Sequence, residues 1–284
     1  MIFILPWSEN STLIGTTESE VNDLDDLAAT SGEVDYLLTE ANRIFPGARL
    51  RFEDVMATCA GARPLLAFAG SATQASREHR IEIDAAGLVS VMGGKYTTFR
   101  LMAQQTVDLI VKRWRLAAEP CLTHEVGLLE PVHPVVLNRW QDLTRSIPEE
   151  LLARLLTRYG AGAFRILHIL EFEPRLIQPV CPHHDVMQAE LVYALQDELA
   201  CTISDVLVRR TTIAFSSCQG LDMLSTLADL FQRYARVSKE EMEAQISDYR
   251  RLLSSGLSFR GSHVDSNGHH RATVRENPLS TPAQ

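Results

Sequence analysis

The sequence has few of the features that mark a membrane-spanning, secreted or nucleic-acid-binding protein. No apolar run in it approaches the ~18 residues that a membrane-spanning helix needs. Residues 1–7 are too short and lack the basic start of a signal peptide. Twenty-seven Lys and Arg against thirty-six Asp and Glu give a net charge of -9, whereas a nucleic-acid-binding surface needs concentrated basic charge. We therefore expect an intracellular protein that does not bind nucleic acid.

Cysteine is scarce, and several common catalytic motifs are missing. The five cysteines form no Cys-x-x-Cys pair, so we expect them to be reduced and mostly buried. Cys181-Pro182-His183-His184 superficially resembles a metal-binding group. No second Cys/His group with zinc-like spacing accompanies it, so we predict no metal site. The sequence also contains no GxSxG, Walker or HExxH motif, which removes the strongest local signals for hydrolases and nucleotide-phosphate sites.

The first part of the chain combines strand and helix patterns. Short apolar stretches with adjacent turn residues predict strands, and these stretches are residues 3–5, 12–17, 81–83 and 88–92. Apolar residues at three- and four-residue spacing predict amphipathic helices at 33–45 and from about residue 97. We therefore predict an α/β fold over residues 1–117.

From residue 118 onward the pattern is helical. Leu, Ala, Glu and Arg dominate with helical spacing in 149–172 and 186–251, and prolines break the pattern between them. One predicted core-facing set consists of Leu191, Ala194, Leu195 and Leu199. The last thirty residues are polar and rich in Ser, Asn and His, which is typical of disorder. We thus predict an α/β domain (1–117), an all-α domain (118–254) and a disordered tail (255–284).

The most informative local feature is Gly93-Gly94-Lys95, between a predicted strand and a predicted helix. Glycines let the backbone approach a ligand closely. The helix that follows directs free N–H groups and a partial positive charge at its N-terminus, which favours an anion. We expect Thr97 or Thr98 to cap this helix. A simple tight turn explains the same residues, and the local sequence leaves both interpretations open.

Two arginines offer permanent, fork-shaped hydrogen-bond donors. Arg63 lies between small residues and a proline in an apolar stretch, where a guanidinium needs a carboxylate or a phosphate as partner. A structural ion pair with an acidic residue would satisfy it equally. Arg77 supplies a second guanidinium, and an exposed loop arginine remains the simpler interpretation of that residue taken alone.

Several stretches, taken in order, match the motifs of one known family. They are PW and TLIGTTE at 6–7 and 12–18, AGARPL at 60–65, SREH at 76–79, GLVSVMGGKYTTFR at 87–100, AELVYA at 189–194 and DVLVRRT at 205–211. These resemble PW…TLIGTTD, AGxRPL, SRxH, GLxxVxGGKxTTYR, AExxYA and DxLxRRT of the FAD-dependent glycerol-3-phosphate dehydrogenases. The order is collinear across roughly residues 1–250, and an ordered set of this kind is far more specific than any single motif.

The resemblance implies an activity, a cofactor and partners. The family oxidises sn-glycerol 3-phosphate to dihydroxyacetone phosphate and passes a hydride to the flavin, from which electrons go to quinone or, in the oxidase branch, to oxygen. The implied cofactor is FAD, and the implied partners are glycerol 3-phosphate and a quinone or another electron acceptor. The implied location is the cytoplasm, including a peripheral position at the inner face of the cell membrane.

The resemblance also assigns roles to individual residues. Arg63 and Arg77 match positions that line the substrate pocket, and two guanidiniums suit a phosphate dianion. Lys95 matches the lysine beside the flavin and the substrate, where a cation stabilises developing negative charge. Lys95 and Arg63 are therefore the expected catalytic residues, and Arg63, Arg77 and Lys95 the expected substrate-binding residues. The expected flavin-contacting residues are Gly93, Gly94, Lys95, Tyr96, Thr97 and Thr98.

One departure from the family limits what the chain should do alone. The sequence contains no GxGxxG, the fingerprint that holds the FAD pyrophosphate in this family. We expect a C-terminal portion that is inactive by itself and that needs a separate N-terminal FAD-binding half or forms homo-oligomers. One alternative is a non-catalytic remnant whose helical domain (118–254) binds another protein. Another is a sibling FAD-dependent oxidase acting on an amine or amino acid.

Overall fold

The computed structural model describes residues 2–7, 11–21, 23–25, 27–63, 65–66, 78–127 and 147–260. Within these ranges the strands form two-stranded antiparallel sheets. The strands are β1 (Phe3–Pro6), β2 (Thr12–Gly15), β3 (His79–Ile83), β4 (Val89–Gly93), β5 (Pro179–Cys181) and β6 (His184–Met187). The α-helices are α1 (Ser31–Ile44), α2 (Phe99–Trp114), α3 (Glu149–Tyr159), α4 (Ala163–Phe172), α5 (Gln188–Gln196), α6 (Leu224–Leu230) and α7 (Lys239–Gly256).

The fold class predicted from the sequence is confirmed. The hairpins β1–β2 and β3–β4 form where apolar stretches flank polar or glycine-containing turns. Helices α1 and α2 follow the predicted amphipathic patterns, and the part from residue 147 onward is mainly helical. The β5–β6 hairpin is an addition, since it occupies the proline-marked break between the two helical groups.

The segment after β2 is fastened to the start of α1. Thr30 caps α1, because its hydroxyl accepts the backbone N–H of Glu33 at 3.3 Å, and the Glu33 carboxylate accepts the Thr30 N–H at 3.0 Å. The hydroxyls of Thr17 and Ser19 donate to the same carboxylate at 3.0 and 2.9 Å. The backbone N–H of Thr30 and these hydroxyls lower the pKa of Glu33. The TLIGTTE motif therefore contributes to local structure.

Helix α1 packs against the far end of the described chain. Its buried Val34 and Leu38 form an apolar cluster with Phe259, which is 1% exposed. The rings of Phe52 and Phe259 lie 5.6 Å apart. Helix α7 extends past the predicted boundary at 254, to Gly256, and a helical turn (Ser258–Arg260) follows it. The apolar Phe259 gives these last residues a place in the core, and residues 261–284 of the predicted tail lie outside the described residues.

The helical part has a densely buried interior. Helix α5 packs against α6, and α6 packs against α7. Completely or almost completely buried side chains on these helices and the π-helical turn (Phe231–Ala235) are Ala189, Leu191, Ala194, Leu227, Phe231, Met242 and Tyr249. The Tyr249 hydroxyl donates to the Gln219 carbonyl oxygen at 2.5 Å, and burial raises the pKa of this phenol.

The contacts divide the chain into two compact units. One comprises Met1–Gly61 with Phe172–Gln284, and the other comprises Ala62–Glu171. This division is based on contacts between residues and does not define domains that fold independently. The predicted domain boundary at residue 117 therefore stays a prediction. Within the described ranges, none of the helices combines the length and apolar character needed to cross a membrane.

The expectation of mostly buried cysteines is wrong. All five thiols are free, but only Cys181 is buried. Cys59 and Cys201 are exposed, and Cys121 and Cys218 are intermediate. The exposed thiols lie in irregular segments at the protein surface, whereas Cys181 ends strand β5 against the helical core.

Candidate functional site

The candidate site is the connection between β4 and α2. Strand β4 pairs with β3 so that Gly93 lies opposite His79. After Gly93 and Gly94 the chain makes a helical turn (Tyr96–Thr98) that leads directly into α2. The predicted flavin-contacting residues therefore form one continuous strand–loop–helix element in the unit Ala62–Glu171.

Both glycines of the loop are required by the backbone. Gly93 and Gly94 have φ of 70° and 94°, a region that side chains other than glycine rarely adopt. A Cβ atom at Gly93 would lie 2.7 Å from the Glu78 carbonyl oxygen, and one at Gly94 would lie 2.6 Å from Met102 Sδ. The chain therefore turns here in a space that only glycine fits, which brings Lys95 to the start of the helix.

The helix start differs from the predicted cap. Thr98 is the N-cap residue of α2, but its side chain does not cap that helix. Its hydroxyl instead donates to the Lys95 carbonyl oxygen at 2.9 Å and accepts the Lys95 N–H at 3.3 Å. The prediction that Thr97 or Thr98 caps α2 is thus wrong, because the extra turn Tyr96–Thr98 precedes the α-helix and uses the Thr98 hydroxyl to close the loop.

The loop presents donors and an aromatic ring on the surface. The side chains of Lys95 and Thr97 are exposed, and Tyr96 is 92% exposed with its ring 6.2 Å from that of Phe99. The first N–H groups of a helix lack partners within the helix and carry partial positive charge. An ammonium, a hydroxyl and these N–H groups form a donor set that suits an electron-rich, acceptor-bearing ligand such as the pyrimidine edge of a flavin.

The segment that carries Arg63 passes beside this loop. Leu66, three residues after Arg63, lies with its Cγ 3.3 Å from the position of a Cβ on Gly93. The Arg63 side chain is exposed and belongs to the same compact unit as the loop. The structure thus places Leu66, which directly follows the AGARPL motif, against the glycine turn of the GGK motif, whereas Arg77 lies outside the described residues.

His79 is a candidate that the sequence analysis did not single out. It begins β3, its Cβ lies 3.3 Å from the position of a Cβ on Gly94, and its Nε2 lies 2.6 Å from Gln105 Oε1 on α2. This hydrogen bond fixes the imidazole beside the glycine turn. The signal of His79 in the sequence is the last position of the SREH motif.

The helical motifs have structural roles. Glu190 of the AELVYA motif is 1% exposed and accepts the Met187 N–H at 2.8 Å at the start of α5.

Asp205 of the DVLVRRT motif accepts the N–H groups of Cys201 and Thr202 at 3.0 and 2.8 Å and pairs with Arg209 at 2.8 Å. Arg210 donates to the Glu198 carbonyl oxygen at 2.5 Å. Arg210 also forms an ion pair with the Glu198 carboxylate at 3.7 Å.

Two family models match successive parts of the chain. Residues 1–109 match the model described as FAD dependent oxidoreductase. Residues 133–242 match the model described as the C-terminal domain of alpha-glycerophosphate oxidase. The candidate loop lies in the first match, and the AELVYA and DVLVRRT motifs lie in the second.

Curated relatives carry one name across distant organisms. A glycerol-3-phosphate dehydrogenase of Synechocystis is 31% identical over 264 residues, which cover 88% of this chain and 47% of the relative. Glycerol-3-phosphate dehydrogenase 2 of Mycobacterium bovis is 30% identical, with 88% of this chain and 43% of the relative covered. The mitochondrial enzyme of Mesocricetus auratus is 32% identical, with 89% and 36% covered.

A solved structure shows the same fold. The glycerol-3-phosphate dehydrogenase of Bacillus halodurans, complexed with FAD, superposes with a TM-score of 0.71 at 25% identity. The match covers 91% of this chain and 51% of that protein. Together these matches agree with the motifs. The chain therefore belongs to the FAD-dependent glycerol-3-phosphate dehydrogenase family and spans about half the length of the relatives that it matches.

Proposed function

We propose that this chain supplies the substrate- and flavin-contacting part of an FAD-dependent enzyme that oxidises sn-glycerol 3-phosphate to dihydroxyacetone phosphate. The observation that carries this proposal is the loop of residues 93–98, a glycine-dependent turn with exposed donors, in a chain related throughout to glycerol-3-phosphate dehydrogenases. Bound FAD would accept a hydride from the substrate carbon.

The Lys95 side chain and the backbone that follows it are assigned one task each at this loop. The exposed ammonium of Lys95 binds close to the reacting hydroxyl of the substrate and stabilises the negative charge that develops as the hydroxyl proton leaves. The backbone N–H groups at the start of the turn Tyr96–Thr98 hold the acceptor edge of the flavin ring. Gly93 and Gly94 let the backbone come close enough for both contacts.

Arg63 is assigned to the phosphate end of the substrate. A guanidinium binds a phosphate dianion through two parallel hydrogen bonds, which positions the glycerol carbon chain as well as neutralising charge. The packing of Leu66 against Gly93 supports a position of this segment near the loop. Arg77 is proposed as the second guanidinium on the phosphate.

The hairpins support a partner that completes the flavin site. Among the described residues, β1–β2 and β3–β4 are each two-stranded, and isolated two-stranded sheets are marginally stable and leave their edges unpaired. Phe3, Leu5 and Val91 on these strands are 39%, 50% and 42% exposed. We infer that strands of an FAD-binding polypeptide extend these sheets and that the 284-residue chain alone does not turn over glycerol 3-phosphate.

The electron acceptor and the location belong to the same proposal. We infer that a quinone reoxidises the flavin and that the assembled enzyme works in the cytoplasm at the inner face of the cell membrane. Cell fractionation with the chain tagged tests the location. Anaerobic reoxidation of the substrate-reduced enzyme by a soluble quinone analogue tests the acceptor.

The experiment that tests the proposed function uses the full chain with and without a supplied FAD-binding half. The half is the part of the Synechocystis relative that this chain does not match, expressed as a separate polypeptide, and a chimera joins the two when they do not associate. We expect FAD to remain bound after gel filtration and to be bleached by glycerol 3-phosphate. Bleaching by glycine or sarcosine but not by glycerol 3-phosphate would favour the amine-oxidase alternative. A folded chimera that binds no FAD would favour the non-catalytic remnant.

A further inference from the structure

A second group of chemically reactive side chains lies in the helical part, apart from the flavin-contacting loop. Cys181 and His184 are cross-strand partners in the β5–β6 hairpin, separated by the two turn residues Pro182 and His183. Cys218 comes from a loop after the helical turn Ile213–Phe215. The two thiol sulfurs and a ring nitrogen of His184 all lie within 4.8 Å of one another.

The distances within this Cys/His cluster suit one small metal ion. His184 Nε2 lies 3.3 Å from Cys218 Sγ. With zinc–sulfur and zinc–nitrogen bonds of about 2.3 and 2.0 Å, ligand atoms around a tetrahedral zinc ion are about 3.5–3.8 Å apart. Movements of about an ångström or less would therefore place all three atoms around a single ion.

A backbone N–H group is directed at one of the two sulfur atoms of the cluster. The N–H of Gly220 donates to Cys218 Sγ at 3.4 Å. N–H groups directed at sulfur stabilise a thiolate, and such outer contacts orient and tune the ligands of metal sites.

Gly220 is itself held in place for this contact. Its φ is 68°, and a Cβ atom there would lie 3.0 Å from both terminal carbons of Leu207. Glycine is therefore the residue that this turn accepts. Because packing against Leu207 fixes this turn, the Gly220 N–H is held beside Cys218.

We propose that Cys181, His184 and Cys218 form a zinc site that fastens the β5–β6 hairpin to the loop at 216–220. Two thiolates and one imidazole are the ligands that zinc prefers, and the thiolates neutralise its charge. The fourth position is left to a water molecule beside Ser216 Oγ, which lies 3.1 Å from His184 Nε2. Cys218 lies 34 residues after His184, outside a recognisable zinc spacing, so the local sequence pattern does not predict this site.

The neighbouring His183 provides a matched control. Its Nε2 lies 3.5 Å from Asp222 Oδ2, so its side chain pairs with that carboxylate. His183→Ala removes an imidazole one residue away from the proposed ligand and leaves the three ligands intact. Cys201→Ser removes a thiol and also leaves the three ligands intact, because Cys201 is exposed and lies outside the cluster.

The test measures metal bound to the full chain purified under reducing conditions. After removal of metal with a chelator and reloading, we expect about one zinc ion per chain. With cobalt we expect thiolate-to-metal charge transfer and the intense visible bands of a tetrahedral site. His184→Ala and Cys218→Ser should lose these bands while far-ultraviolet circular dichroism shows a folded chain. His183→Ala and Cys201→Ser should keep them.

Three results would overturn the proposal. One is wild-type protein that binds neither zinc nor cobalt after chelator treatment and reloading. Another is a His184→Ala variant that retains the full cobalt spectrum. The last is a loss of two titratable thiols in unfolded wild type that was purified without reductant, traced by peptide mapping to a Cys181–Cys218 disulfide. The measurements need neither flavin nor glycerol 3-phosphate, so their outcome is independent of the proposed function.

Discussion

The loop at 93–98 and the helical motifs resemble the same family, yet their residues have different surroundings. In the helical part, the carboxylates of Glu190 and Asp205 accept hydrogen bonds from neighbouring backbone N–H groups. In the loop, the side chains of Lys95 and Tyr96 are exposed. Motif residues that form hydrogen bonds within the fold contribute to its stability, whereas motif residues with exposed side chains are available to a ligand. The contrast supports the proposal that ligand contacts are made by the loop.

Truncating one aromatic side chain in each region should give the largest difference between the regions, measured as the change in the free energy of unfolding. Phe231 is completely buried in the helical core, so Phe231→Ala should lower the free energy of unfolding by about 3–5 kcal/mol. Tyr96 is 92% exposed, so Tyr96→Ala should change it by less than about 0.5 kcal/mol. Urea titrations of both variants measure the difference. Equal destabilisation would show that the loop is part of the packed structure.

Removing the loop cation should affect turnover and leave stability unchanged. In the FAD-loaded assembly, Lys95→Met should lower kcat by about 10²–10³, the usual effect of losing one donor to developing negative charge. Lys112→Met is the control, because Lys112 is an exposed lysine in the last turn of α2. Steady-state assays with glycerol 3-phosphate measure both. A Lys95→Met enzyme with normal kcat and a raised KM would assign Lys95 to binding alone.

The glycine turn can be tested without any cofactor. Gly93→Ala should cost more than about 1 kcal/mol of unfolding free energy, because φ is 70° and the new Cβ would meet the Glu78 carbonyl oxygen. Gly47→Ala is the control, since its Cβ would have open space. Chemical denaturation compares the two. A neutral Gly93→Ala would mean that the loop adopts another conformation in solution.

The smallest effect concerns the pH dependence of the helical part. Burial raises the pKa of Asp205, but the N–H groups of Cys201 and Thr202 and the charge of Arg209 outweigh it, so the net pKa is lowered. A lowered carboxyl pKa stabilises the fold above the ordinary value near 3.8 and loses that effect as the pH falls through the folded-state pKa.

Asp205→Asn keeps an acceptor oxygen but removes the charge, so it should cost about 1 kcal/mol at neutral pH, the usual difference between a hydrogen bond to a charged group and one to a neutral group. The difference from wild type should shrink as the pH is lowered towards and below 4. Asp35→Asn, at an exposed position on α1, is the comparison. Urea midpoints across this pH range measure both variants, and a difference that is constant with pH would mean that the charge of Asp205 is irrelevant.

Local patterns were enough to predict the hairpins and α1, because each depends on residues close together in the sequence. They were not enough where the structure depends on contacts between residues far apart in the sequence. Leu199 continues the apolar spacing of Leu191 and Ala194, but α5 ends at Gln196 and Leu199 adopts φ of 55° with 78% exposure. The packing of Phe259 on α1 likewise has no local signal.

The glycine turn between a strand and a helix was predicted better than its details. The family motifs located the loop at 93–98, and the backbone at Gly93 explains why glycine is present there. The cap at Thr98 was mispredicted, because the extra helical turn depends on a side chain bonding back to Lys95. The proximity of Cys218 to His184 was missed for the same reason, since only the folded chain brings them together.

The most direct test of the account is the absorbance spectrum of the purified chain after gel filtration with FAD, alone and together with the supplied FAD-binding half. The account predicts a colourless chain alone. It predicts a yellow complex with the half, whose band near ~450 nm, ordinary for oxidised flavin, is bleached by glycerol 3-phosphate. A chain that holds FAD unaided would contradict the need for a partner. A yellow complex that glycerol 3-phosphate leaves unbleached would contradict the central claim about its chemistry.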